Sequence, residues 1–186
     1  MKKVTKIILI IGIFSSLTLF NGCEELGNIE LNIPLEILFT VSGSETSASD
    51  KVEFCLNQYQ KWQDNRDNIE SASYLKAAYW TIDVSPAALK GTISFALKDN
   101  INNILISGTL PNVSPADYIG NPIKIEIGQD QIDAFNQYLG EIMAKEDPTC
   151  QNKSFNAEFS VTNITGGTPY TINSKVELVL AAEVTP

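Results

Sequence analysis

Between residues 29 and 41 every odd-numbered position is apolar: Ile29, Leu31, Ile33, Leu35, Ile37, Phe39 and Val41 alternate with Glu30, Asn32, Pro34, Glu36, Leu38 and Thr40. Successive side chains of a strand point to opposite faces, so a period of two puts this whole set on one side of a sheet. A helix would scatter the same residues around its circumference. The run therefore predicts a half-buried strand. Pro34 has no amide hydrogen to give a ladder, which places that strand at a sheet edge or breaks it there.

The same period recurs along the chain. Ile93, Phe95 and Leu97 alternate with Ser94, Ala96 and Lys98. The Asx-rich stretch 99–103 then turns the chain, and 104–110 returns as the partner strand. Ile123, Ile125 and Ile127 form another alternating set, as do Phe155, Ala157, Phe159 and Val161. After a turn at Gly166-Gly167-Thr168-Pro169, Val176, Leu178, Leu180, Ala182 and Val184 form the last. Residues 74–84 are apolar on both faces (Leu75, Ala77, Tyr79; Ala78, Trp80, Ile82), which reads as a central strand covered on both sides. The segment 51–62 fits strand through Val52, Phe54 and Leu56, and helix through Val52, Cys55, Leu56 and Tyr59. We assign strand to about Asn57, then a turn or short helix to Ala72. One helix interrupts the pattern from Asp130, the expected N-cap, with Ile132, Phe135, Leu139 and Ile142 close to one face and Met143 beside them. It is expected to lie across one end of the sandwich. The expected fold class is mainly β, an antiparallel β-sandwich, immunoglobulin-like or jelly-roll-like, of about eight strands with one inserted α-helix. The order Cys55…Trp80…Cys150 has an immunoglobulin look, but a 95-residue separation of the cysteines is too long for the usual bridge of that fold.

The amino terminus reads as an address. Lys2, Lys3 and Lys6 are followed by a charge-free, mostly apolar run over 7–20 and then by Asn21-Gly22-Cys23. Fourteen helical residues span about 21 Å, short of the ~30 Å hydrocarbon core, so a signal-peptide core fits better than a membrane span. Leu19-Phe20-Asn21-Gly22-Cys23 resembles the lipobox of bacterial lipoproteins, Gly22 and Cys23 being the matching positions. The resemblance implies that residues 1–22 are a signal peptide and that Cys23 is acylated and becomes the mature first residue. It further implies a protein exported and lipid-anchored in the bacterial envelope, with the membrane as its first partner. Glu24-Glu25 resembles the acidic tether that some Bacteroidetes-type lipoproteins use for export to the outer leaflet, which points to the outer membrane and surface exposure. Residues 23–28 then form a tether, and 29–186 a single β-sandwich domain.

Charge and chemistry narrow the function. From Cys23 onward 10 Lys and Arg stand against 22 Asp and Glu, a net −12 with no basic stripe, so nucleic acid is not an expected partner. There is no histidine, which removes Ser-His-Asp and Cys-His systems and His-ligated zinc. With Cys23 acylated, Cys55 and Cys150 remain as an even pair in an oxidising compartment, and a Cys55–Cys150 disulfide is expected. Asp64, Asp67 and Glu70 are oxygen-rich but lack a calcium-loop pattern, and the Asp99–Asn103 donors sit where a turn needs them. No catalytic residue, metal ligand or cofactor is assigned. Tyr59 and Trp62 lie among Gln58, Gln60, Lys61 and Gln63, and form the candidate binding patch for an envelope protein or glycan. The expected function is non-catalytic, binding or structural. The alternative is a small carboxylate-dependent hydrolase such as a glycosidase.

Overall fold

The structure is a computed structural model that describes residues 28–144 and 154–185. The expected signal peptide, Cys23 and Cys150 lie outside the described residues. The strands are β1 (Ile29–Gly43), β2 (Ala48–Phe54), β3 (Ile69–Ser85), β4 (Lys90–Lys98), β5 (Ile104–Val113), β6 (Ile123–Lys124), β7 (Phe155–Thr165) and β8 (Tyr170–Val184). They make two antiparallel four-stranded sheets, ordered β1-β8-β3-β6 and β2-β7-β4-β5. Pairing is nested: β1 with β8, β2 with β7, β3 with β6, β4 with β5. This is one long antiparallel hairpin rolled into two sheets, a jelly roll. The nesting decides between the two sandwich types expected from the sequence.

β1 carries the alternation as read. Ile33, Leu35, Ile37, Phe39 and Val41 are at most 2 % exposed, and the residues between them face solvent. It is an edge strand, and Pro34 sits opposite Val179. Between the sheets Phe39 stacks on Phe159 at 5.2 Å, and Tyr79 stacks on the same ring at 6.0 Å. The buried Tyr79 hydroxyl lies 2.8 Å from Thr81 Oγ1 and 3.2 Å from Ser174 Oγ, so these three hydroxyls satisfy one another.

Three local expectations are corrected. β3 is not covered on both faces: Leu75 is 45 % and Ile82 53 % exposed. The register skips between Tyr74 and Lys76 and between Thr81 and Asp83. Leu75 and Ile82 are thus extra residues of two β-bulges, and each bulge reverses the in–out parity. Between the bulges the alternation is regular, with Ala77, Tyr79 and Thr81 inward and Ala78 and Trp80 outward, so the outer face is apolar but only half-buried. The alternation at 123–127 yields only a two-residue strand, Ile125 giving its amide to Ala77 O at 3.0 Å. The strand expected from 51 is β2, which starts at Ala48 and ends at Phe54. After it the chain runs through a 3₁₀ turn (Leu56–Gln58), a one-turn helix α1 (Gln60–Gln63) and a second 3₁₀ turn (Arg66–Asn68).

The long helix α2 (Gln129–Ala144) begins one residue before the expected cap. The Gly128 carbonyl accepts the amides of Gln131 and Ile132, both at 3.1 Å, so Asp130 belongs to the first turn. α2 joins the two sheets. Asn136 Oδ1 accepts the Tyr74 amide of β3 at 2.7 Å, and Gln131 Oε1 accepts the Ser107 amide of β5 at 3.1 Å. Its buried Phe135 meets Tyr74 at 6.2 Å and Phe155 at 5.9 Å. Two amide side chains thereby satisfy backbone donors that neighbouring strands leave open.

On the outside of the second sheet Glu158 of β7 takes Lys51 and Lys98, each at 2.7 Å. Hydrogen bonds from Lys51 and then Lys98 hold its carboxyl below the ordinary range. A carboxyl lowered on folding contributes stability above its unfolded value, and that stability is lost as pH falls through the folded value. Glu158→Gln is therefore expected to melt below the parent at neutral pH, with the gap closing on acidification. Thermal melts across the acidic range check this, and a gap that stays constant contradicts it.

Candidate functional surface

The aromatic pair singled out in the sequence does not form an exposed patch. Trp62, on α1, is 6 % exposed and belongs to the core. Tyr59 is half-buried, its ring edge-on to Phe54 at 5.8 Å, and its hydroxyl donates to the Glu36 carbonyl at 3.2 Å. Burial, and then the Glu36 carboxylate, push the Tyr59 phenol up to about 12. The polar neighbours misled the reading. In a single helical turn one side chain can face inward while the others face water. Gln60, Lys61 and Gln63 are all exposed.

The exposed aromatic surface lies elsewhere, on the outer face of the first sheet. Leu38 of β1 and Trp80 of β3 both pair with Lys175 of β8, giving a transverse row Leu38–Lys175–Trp80. Leu38 is 59 % exposed. Lys175 Nζ stands 4.7 Å from the centroid of the half-buried Trp80 ring and 2.7 Å from Glu36 Oε1. The ion pair and the ring together fix an ammonium that would otherwise sweep a large volume. Next to this row, Thr40 Oγ1 donates to Asn173 Oδ1 at 2.9 Å, giving a polar border. The sequence signal is Trp80 itself, next to the inward Tyr79 and so on the outer face of a strand expected to be covered on both sides.

The carboxylates weighed for other chemistry have local partners. Asp64 accepts from Gln60 at 2.6 Å. Glu70 accepts from Thr185 and Asn28, both at 2.7 Å, and these bonds, Thr185 first, lower its carboxyl. Asp99 is turned inward within its own loop. Among the described residues no group of three His, Cys, Asp or Glu could hold a metal ion. Cys55 is buried beside an open hollow lined by Glu53, Phe54, Gln58 and Ser154.

No family model matches the chain, and no curated protein matches it in sequence. Among solved structures it is similar to a chain of Desmodium yellow mottle tymovirus, at 13 % identity and a TM-score of 0.38, covering 86 % of this chain and 89 % of that one. It is also similar to a chain of Turnip yellow mosaic virus, at 8 % identity and 0.39, covering 86 % and 95 %. A chain of Mud crab tombus-like virus matches at 10 % identity and 0.41, covering 86 % and 83 %. At these values no family is assigned.

The two tryptophans are expected to separate in their effect on stability. Trp62→Ala should cost about 3–5 kcal/mol, the range for emptying a buried aromatic site. Trp80→Ala should cost much less. Urea unfolding of the two variants measures this, and equal losses would contradict the assignment of Trp62 to the core and Trp80 to the surface.

Proposed function

We propose that the protein is an exported lipoprotein acylated at Cys23. Its non-catalytic jelly-roll domain stands at the surface of the bacterial outer membrane and binds an envelope protein through the Leu38–Lys175–Trp80 face. The exposed row carries the binding half of this reading. A tryptophan beside exposed aliphatic groups, with a charged pair at its edge, has the make-up of an interface hot spot and its rim. The anchor half rests on the three zones of residues 1–23 and on the Gly22-Cys23 junction. None of the described helices is long and apolar enough to cross a membrane. A glycan is the other class of partner that such a face could meet. A Cys55–Cys150 bond would join the end of β2 to the segment entering β7, which suits an oxidising compartment.

Two measurements test the reading. Cys23→Ser should leave an unprocessed precursor and release the protein from the membrane fraction. Unchanged fractionation and migration overturn the anchor. A photo-crosslinking residue placed at Leu38 in the full-length protein should capture one discrete protein band. Trp80→Ala should weaken that capture about tenfold or more, the scale of a hot-spot loss. Capture of glycan alone, or capture insensitive to Trp80, overturns the protein-binding assignment.

A further inference from the structure

We infer that the β4–β5 turn, Asp99–Asn103, together with Ile104, is a membrane-contact wedge that orients the domain on the bilayer. The inference rests on the acylation of Cys23 proposed above and goes beyond it.

Placement comes first. In the first sheet Ile29 pairs with Val184, and Val184 pairs with Ile69, so the start of β1 marks one end of the sandwich. In the second sheet Phe54 pairs with Phe155, and Lys98 pairs with Asn156. Phe135 touches both Tyr74 and Phe155, and Tyr138 donates to Ser154 O at 2.8 Å. These contacts put the ends marked by Ile29 and by Lys98 on the same side of the molecule. The β4–β5 turn therefore shares an end with the attachment point of the tether. From Cys23 to Asn28 the chain advances five residues, a reach of at most about 18 Å. Four strands at about 4.8 Å spacing span about 14 Å, and the sheets lie about 10 Å apart. A tether that short holds the whole end of the sandwich close to the headgroups.

The turn has the surface chemistry for that position. Ile101 is 71 % exposed and Ile104 57 % exposed. Asp99 is the only charged residue from 99 to 104, and it is 6 % exposed. Its carboxylate accepts the amides of Ile101 at 2.9 Å and Asn103 at 2.8 Å, and Asn103 Nδ2 at 2.7 Å. The preceding Lys98 is held by Glu158. The surface of the turn is thus isoleucine and asparagine, on a mature chain of net charge −12. Anionic headgroups would repel such a body, so the contact is apolar and insensitive to salt. The turn is also preorganised. Asp99 N donates to Asn103 O at 3.0 Å, Asn102 N to Asp99 O at 3.1 Å, and Asn156 Nδ2 to Asp99 O at 3.2 Å. Asn102 occupies the left-handed region at φ 69°. Asn100 N donates to Tyr138 of α2 at 3.3 Å, tying the turn to the helix. A braced, uncharged, apolar tip beside a lipid tether fits the interface of a bilayer. Two isoleucines add little to an acyl anchor, so their effect is on orientation.

The test places a tryptophan at either end of the full-length acylated protein in phosphatidylcholine vesicles. A share of the lipid carries a nitroxide high on the acyl chain. Ile101→Trp should add emission that is blue-shifted and quenched by the nitroxide lipid, unchanged by salt. Thr168→Trp, at the far end in the β7–β8 turn, should add emission that is not quenched. Ile104→Asp placed in the Ile101→Trp protein should reduce the quenching at least twofold while the melting temperature holds. Vesicle-bound protein with an unquenched Ile101→Trp signal overturns the wedge and leaves the anchor standing. Protein that floats free of vesicles overturns both. Equal quenching at the two ends, or crosslinking of two copies through the tip, overturns the wedge.

Discussion

β8 is the strand on which the architecture depends. Its 15 residues pair along their whole length with β1 on one side and with β3 on the other. Tyr170, Ile172, Ser174, Val176, Leu178, Leu180, Ala182 and Val184 all face inward and are buried. Because β1 and β8 come from opposite ends of the described chain, their ladder closes the rolled hairpin, and every other pairing lies inside it. Contacts of such sequence separation are entropically expensive to form first. The locally paired β4–β5 hairpin is therefore the natural precursor of this closure.

The sequence made the jelly roll legible where one rule acts alone. β1 has one wet face and one dry face, so alternation and geometry agree, and Pro34 marks it as an edge. α2 was legible because Phe135 and Leu139 are four apart, and its neighbours on the dry side are also apolar. Legibility failed where a second rule intervened. Each bulge in β3 shifts parity by one residue, which no period count can see, and between them Ala78 and Trp80 make an outer face apolar enough to read as a covered one. A single helical turn is too short to show a period, and this moved Trp62 from the expected patch to the core. The Ile123–Ile127 alternation is real, but only Ile123 and Lys124 enter the β3 ladder. Beyond them α2 supplies Asn136 to the amide of Tyr74.

These two misplacements share a cause and alter the functional reading together. A binding surface argued from composition looks for aromatics among polar residues. In a sandwich, polar neighbours mark only the outer half of a segment, and they say nothing about which way the aromatic itself turns. Trp62 has polar neighbours in sequence and apolar neighbours in space. Trp80 has apolar neighbours in sequence, yet Lys175 lies over its ring and Glu36 beyond that. What each ring packs against, not local composition, separates the two cases.

The same distinction applies to charge. A net −12 from Cys23 onward would suggest a uniformly acidic body, but the carboxylates are unequally available. Glu158 is held by two lysines, Glu36 by Lys175, Glu70 by Asn28 and Thr185, and Asp99 is folded into its own turn. Each neutralised or inward carboxylate leaves a local area where apolar groups can stand without an adjacent free charge. Leu38 and Trp80 occupy one such area beside Glu36 and Lys175, and Ile101 and Ile104 occupy another around Asp99. An acidic protein keeps its solubility from the remaining charges while apolar groups stand exposed in these places. One lies on the broad face of a sheet and the other at the end where β1 begins, so the proposed contacts with a partner and with a bilayer would not compete for the same surface.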